Sequence, residues 1–143
     1  MVDVSGKAAT TRTARARCPI TLPPELASRL KEGEIQSGKG PVVQTAIIAG
    51  TQAAKRTWEL IPFCHQIPLE SCSFSIETSG DNVLILEANV RATHKTGVEM
   101  EALTAVSVAA LTVYDMCKAI SHEIVIGPIQ LLEKTGGKSD FCR

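Results

Sequence analysis

The chain has 143 residues, 44% of them hydrophobic, with 15 Lys or Arg balanced by 15 Asp or Glu for a formal net charge of zero. That length and composition describe one folded domain over residues 1–143 with a core of its own, and they exclude an intrinsically disordered chain. Balanced charge and an aromatic content of only 3% argue against a nucleic-acid binder, which needs a basic surface and stacking platforms.

In chain order, residues 1–17 read as an extended N-terminal segment. Residues 4–17 are rich in Arg, Ser and Thr and lack acids, as transit peptides do, but they have no apolar face and are not read as one. Cys18 to Leu22 suits a short strand, and Pro24 opens a short helix that ends near Gly33. Residues 35–41 form a Gly-containing loop. Val42 to Leu60 is expected to be one long helix, with Val43, Ile47, Ala54 and Trp58 near one face and Pro62 as the stop. Cys72, Phe74 and Ile76 alternate with polar residues as a half-buried strand does, Gly80-Asp81-Asn82 is a turn, and Val83 to Thr93 is the return strand. A second long helix follows, then a last strand from Ile124 to Leu132 broken by Gly127-Pro128. The order strand, helix, strand, strand, helix, strand predicts an α+β, ferredoxin-like βαββαβ fold: an antiparallel sheet with helices on one face.

The second long helix is the most informative segment. Between Glu101 and Asp115 it carries no charge, and Met100, Leu103, Val106, Val108, Leu111 and Val113 occupy every face, so it is expected to be almost wholly buried. It is shorter than the ~18 apolar residues a membrane span needs, and no secretory signal stands out. Thr96 with Glu99 three residues on has the spacing of a capping box. Ionisable groups sit at both ends: Glu99 and Glu101 in front, Asp115 and Lys118 behind. Glu101 and Asp115 are about 21 Å apart on nearly the same face, too far for one small guest to touch both. Two such helices packed antiparallel across a two-fold axis would bring Glu101 of one chain near Asp115 and Lys118 of another, which predicts a site shared between subunits.

Other features admit plainer readings beside functional ones. Asp115 and Lys118 form either a helical ion pair favoured by the dipole or an acid–base pair. Cys64-His65 follows the first long helix; it could serve a metal, a nucleophile, a polar substrate edge or only the loop itself, and His94 and His122 add no ligand spacing. Lys134-Thr-Gly-Gly-Lys138 is no Walker A motif, but Gly pairs beside Lys can cradle a phosphate, and Lys39-Gly40, Lys55-Arg56 and Lys95 add charge. The five cysteines, an odd number with no C-x-x-C pair, read as reduced thiols of a cytosolic-type compartment, so a cytoplasmic location is expected.

Taken together, Gly50–Pro62 (GTQAAKRTWELIP), Cys64-His65, Lys95–Ala119 (KTGVEMEALTAVSVAALTVYDMCKA), Ile126–Asp140 (IGPIQLLEKTGGKSD) and the opening MVDVSGKAATTRTARA resemble the molybdenum cofactor biosynthesis protein C family, the cyclic pyranopterin monophosphate synthases. The resemblance spans essentially the whole chain. It implies the second step of molybdenum cofactor synthesis, in which a guanosine triphosphate cyclised between ribose C3′ and base C8 is rearranged to cyclic pyranopterin monophosphate with release of pyrophosphate. It also implies a homohexamer built as a trimer of dimers, with the active site at the dimer interface. Asp115 matches the family's catalytic aspartate and Lys118 its neighbouring lysine; Lys55 and Lys134 match further active-site lysines. Phe63, Cys64 and His65 match the substrate-binding loop, and Glu99, Met100 and Glu101 the second binding segment. No resident cofactor or metal is implied; Mg²⁺ can ride on the triphosphate. Phe63 stands where Leu is more usual and His94 where Gly is, neither removing a charged role. The alternative from another class is a non-catalytic, nucleotide-phosphate-sensing oligomeric module, since ferredoxin-like domains also serve as ligand sensors.

Overall fold

The computed structural model describes residues 1–80 and 82–143. The chain runs β1 (Thr10–Thr21), α1 (Pro24–Ala27), β2 (Leu30–Lys31), β3 (Glu34–Ser37), β4 (Gly40–Pro41), α2 (Val42–Lys55), α3 (Thr57–Leu60), β5 (Ser71–Ser79), β6 (Val83–His94), α4 (Glu99–Cys117), β7 (Val125–Ile126), β8 (Gln130–Thr135) and β9 (Phe141–Cys142). The main sheet has the order β5-β6-β1-β8-β9, with β7 also paired to β1. Every pairing is antiparallel. Stripped of its short elements the chain is β1-α2-β5-β6-α4-β8, and each helix joins two strands that have a third between them, which is the split βαβ, ferredoxin-like arrangement.

Alternation in β1 and β6 explains the layering. Ala14, Ala16, Cys18 and Ile20 of β1, with Leu84, Leu86, Ala88, Val90 and Ala92 of β6, are buried on the helix-covered face, where α4 packs on β1 and β6 and α2 packs beside it over β5. Small residues on both sides of this contact, including Ala102, Ala105 and Ala109 of α4, let the helices lie close to the sheet. The other sheet face is polar. There Glu87 lies between Arg17 Nε (2.6 Å) and Arg15 Nη1 (3.1 Å), and Arg15 Nη2 reaches Glu133 at 3.4 Å.

Several expectations need correction. Residues 10–17 are extended as expected, but they form the first two-thirds of the central strand, which therefore begins well before the short strand expected at Cys18. The helix expected from Pro24 to near Gly33 ends at Ala27, and a small three-stranded sheet, β2-β3-β4, spans residues 30–41 where the end of that helix and a loop were expected. The helix expected over Val42–Leu60 breaks at Arg56, where the Thr57 hydroxyl donates to the carbonyls of Ala53 (3.3 Å) and Ala54 (3.1 Å) and closes the last turn of α2. Gly80 and Asn82 lie at the predicted turn, whose Asp81 is outside the described residues. The break at Gly127-Pro128 divides the last strand into β7 and β8, both paired to β1.

α4 is not wholly buried. Ala102, Ala105, Val106, Ala109, Ala110 and Val113 face the core, but Met100 and Leu111 are exposed and Leu103 half-exposed, giving with the small Ser107 a mostly apolar stripe along the helix at three- and four-residue spacing. Ile48 of α2 is also exposed, at 63%. By length and composition α4 could cross a membrane, but half of it is packed inside this fold. No capping box forms: Glu99 is the first helical residue, and Val98 before it has no side-chain cap.

Candidate active site

Strand register places the front of α4 beside three other chain segments. Thr10 pairs with His94 at one end of the sheet, and Ala14, four residues along β1, pairs with Lys134. The β6–α4 connection, the start of β1 and the end of β8 therefore meet at one edge. Arg12 ties them, donating from Nε to the His94 carbonyl (3.3 Å) and from Nη2 to the Lys95 carbonyl (3.4 Å). Thr10 Oγ1 donates to the Gly136 carbonyl (2.7 Å), and Gly136, with φ +82°, sits so close to the Thr11 carbonyl that no side chain fits.

Two adjoining hollows open there. The first, of about 450 Å³, lies between the loop residues Phe63, Cys64 and His65, the front of α4 (Glu99, Met100, Glu101), and Val2, Val4 and Lys7 of the N-terminal segment. The second, of about 460 Å³, shares Lys7, Thr96, Gly97 and Glu99 with the first and adds Arg12, Lys95, Lys134 and Lys138. It is strongly cationic: Glu99 is the sole carboxylate among its lining residues, with Lys134 Nζ 3.6 Å from Glu99 Oε1. The N-terminal segment is fastened across both, with His65 Nε2 donating to the Val2 carbonyl (2.8 Å) and Lys95 Nζ to the Ser5 carbonyl (2.7 Å).

Glu101 is 3% exposed, because the 63–67 loop closes over the first turn of α4. Burial lifts its carboxyl to about 7, opposed by a hydrogen bond from its own amide and assisted by the charge of Glu99. A carboxyl near neutrality can both donate and accept a proton at working pH. Cys64 is pushed the other way for a nucleophile: burial first, and then the charge of Glu101, raise its thiol and disfavour the thiolate. With His65 engaged by Val2, the pair has neither the thiolate nor the oriented base that nucleophilic catalysis requires. All five cysteines are free, and among the described residues no group of three or more His, Cys, Asp and Glu is placed to hold a metal.

The other end of α4 carries a separate cluster. Asp115 Oδ1 meets Lys118 Nζ at 2.7 Å and Oδ2 meets Lys39 Nζ at 2.6 Å, and Lys39 also donates to the Asp115 carbonyl at 3.3 Å. Lys118, then Lys39, draw the Asp115 carboxyl down to about 2, and Asp115 in turn raises Lys118. Asp115 is exposed where Glu101 is buried, so the two do not share the environment that their spacing suggested. They are separated by about 21 Å of helix, and one chain brings Phe63, Cys64, His65, Glu99, Met100, Glu101 and Lys134 together but leaves Asp115 and Lys118 apart. Lys55 opens on a third hollow with Trp58, Gln66 and Ile67. Lys39 is the member of the Asp115 cluster that the sequence did not single out: it was marked only as positive charge beside a glycine. Lys7 and Arg12 of the cationic hollow carried no motif at all.

The MoaC family matches residues 1–137. This chain belongs to the MoaC family. A relative from Xanthomonas oryzae pv. oryzae named "Cyclic pyranopterin monophosphate synthase" is 56% identical over 141 residues, 99% of this chain and 86% of that protein. A Brevibacillus brevis protein of the same name is 54% identical over 144 residues, all of this chain and 89% of its own length. A Synechocystis "Molybdenum cofactor biosynthesis bifunctional protein" is 53% identical over 147 residues, which is 42% of that longer protein. Both hollows and the Asp115 cluster of this MoaC-family chain lie within the matched residues 1–137, apart from Lys138.

Proposed function

We propose that this MoaC-family chain is a cyclic pyranopterin monophosphate synthase, converting the 3′,8-cyclised dihydroguanosine triphosphate to cyclic pyranopterin monophosphate and pyrophosphate in the cytoplasm. The observation that carries the reading is the pairing of a cationic hollow with a neighbouring one that holds a carboxyl titrating near 7. A triphosphate fits the first, and a nitrogen-rich ring fits the second, where Glu101 and His65 can meet ring N–H and carbonyl groups. Phe63 and Met100 supply apolar walls, and Glu99 orients Lys134. Release of pyrophosphate needs a sugar hydroxyl to attack the α-phosphorus while the β-phosphate oxygen leaves, and the lysines neutralise the charge that develops. Lys55 and Lys134 are the proposed auxiliary site lysines.

The active unit is a two-fold dimer, three of which form the hexamer. Its support is the exposed, mostly apolar stripe of α4, which runs from Met100 to the Asp115 end and is the natural seat for a second copy of α4. Antiparallel stacking there delivers Asp115, Lys118 and Lys39 of one chain to the hollows of the other. Asp115 at about 2 is a poor base while both lysines hold it. A triphosphate that draws a lysine toward itself frees the carboxylate for proton transfer during ring opening and closure.

Incubation with the cyclised nucleotide and measurement of pyrophosphate tests the activity, and no release above background rejects it in favour of a ligand-sensing module. Lys118→Ala abolishes release while the hexamer persists; near-normal product from that variant removes Lys118 from the reaction. Mixed chains carrying Glu101→Gln and Asp115→Asn regain activity, because a mixed dimer retains one intact shared site. Proven mixing without recovery places each site within one chain.

A further inference from the structure

α2 starts behind Pro41, which has no side chain able to cap it. The helix's first amides are taken instead by a carboxylate from β3. Glu34 Oε1 accepts from the amides of Val43 (2.7 Å) and Ile35 (2.7 Å), and Oε2 accepts from Gln44 (3.0 Å). Burial alone would raise this carboxyl, but the amides of Val43, Gln44, Ile35 and Val42 outweigh burial and hold it below the ordinary range. Glu34 therefore stays ionised at neutral pH, as a carboxylate at a helix N-terminus is favoured to be.

The clamp stands at the base of a small hairpin. β3 and β4 share only two residue pairs, Gln36 with Pro41 and Ser37 with Gly40, and β2 adds two more on the other edge. Buried Ile35 is its apolar anchor. At the tip, Ser37 Oγ accepts from the Lys39 amide (3.1 Å) and donates to the Gly40 carbonyl (3.2 Å). This turn aims Lys39 across 76 residues of sequence at the Asp115 carboxylate. So little ladder holds the hairpin that its attitude depends on its attachment to α2.

We infer that Glu34 is a positioning residue for the Lys39–Asp115–Lys118 cluster, fixing the hairpin to the start of α2 so that Lys39 reaches Asp115. The inference rests on the proposed role of that cluster in proton transfer, and on nothing that Glu34 itself does to substrate. Glu34 and Lys39 then act as one unit, and their substitutions combine without multiplying.

The test uses Glu34→Ala, Glu34→Gln, Lys39→Ala and the Glu34→Ala/Lys39→Ala pair in the full-length assembled protein. One readout is kcat and KM with the cyclised nucleotide, and the other is the Asp115 titration followed by 13C-carboxyl aspartate labelling. Glu34→Ala is expected to bring kcat to within about twofold of the Lys39→Ala value, and the pair is expected to be no slower than Lys39→Ala alone. Asp115 titrates higher in Glu34→Ala, as it does in Lys39→Ala. An Asp115 titration unmoved by Glu34→Ala, or kcat losses that multiply in the pair, overturns the inference. Glu34→Gln keeps the side-chain length and one acceptor oxygen, so it supplies the same readouts if the alanine variant does not assemble. If Lys39→Ala turns over normally while Asp115 still follows Glu34, the proton-transfer reading falls and the positioning stands.

Discussion

Gly50→Ala probes the spacing between α2 and α4, on which both ends of α4 depend. A Cβ at position 50 would stand 2.5 Å from Phe74 Cζ, 2.7 Å from the Ala105 carbonyl oxygen and 3.2 Å from Ala109 Cβ. The Phe74 ring is half-buried and can turn aside. The Ala105 carbonyl belongs to the α4 backbone and must retreat by about 0.7 Å to reach ordinary van der Waals contact, carrying its helix with it. Overpacking of this kind costs roughly 1–3 kcal/mol, here in the upper half because the obstacle is backbone. Replacing Gly by Ala inside a helix returns about 1 kcal/mol. The net loss is then about 1–2 kcal/mol, a fall in Tm of about 2–8 °C for a chain of this size. Denaturant and thermal unfolding at matched protein concentration measure it, concentration being fixed because assembly adds to apparent stability. A Gly50→Ala protein as stable as its parent, or more so, would mean that helix propensity outweighs the contact and that the two helices are not held at this distance by Gly50.

Three other outcomes are expected. Burial would raise the Glu87 carboxyl, but hydrogen bonds from Arg17 and Arg15 outweigh it and lower it, so its contribution is present above the unfolded carboxyl range near 4.5 and is lost as pH falls through the lower folded value; Glu87→Gln flattens this acid-side loss in denaturation curves taken from pH 6 to pH 3, and an unchanged slope refutes the assignment. Gly136→Ala places a Cβ against the Thr11 carbonyl at a positive φ, costing roughly 1–3 kcal/mol and displacing the Lys134–Lys138 loop, so KM for the triphosphate rises more than kcat falls; equal KM in both proteins counts against a phosphate role for that loop. Asp115→Asn removes an exposed pair of the kind worth about 0–1 kcal/mol, so unfolding changes little while pyrophosphate release collapses; a large stability loss with retained turnover would reverse the reading.

What the sequence made legible follows interaction range. α4 announced itself by an uninterrupted apolar run, and the β5–β6 hairpin by alternation around Gly80, because both signals are local. β1 was half-read. Its first residues alternate Arg or Thr with Ala, and alanine argues weakly for a strand until β6 and β8 are there to pair with it. Thr96 and Glu99 have capping-box spacing, yet Glu99 turns to Lys134, a partner 35 positions on that spacing cannot name. Glu34 replacing an absent cap on α2 and Lys39 reaching Asp115 are equally non-local. The exposed stripe of α4 misled in a different way: its apolar residues predict burial, and a single chain leaves them uncovered. The residues of the Cys64-His65 loop and of the front of α4 were recognised as a group, but their convergence with Lys7 and Arg12 had no sequence signature.

Both termini abut the cationic edge. Val2 is tethered to His65, and Phe141 of β9 pairs with Lys134. An affinity tag joined ahead of Met1 starts two residues from Val2, which lines the first hollow, and one joined after Arg143 starts two residues from β9, whose Phe141 pairs with Lys134. A histidine tag at either place adds titratable, metal-binding imidazoles beside the cationic hollow. Kinetic constants for this enzyme should therefore be taken on cleaved protein, and a fusion for imaging or purification is better inserted at the β5–β6 turn, on the opposite side of the sheet's length from the chain ends.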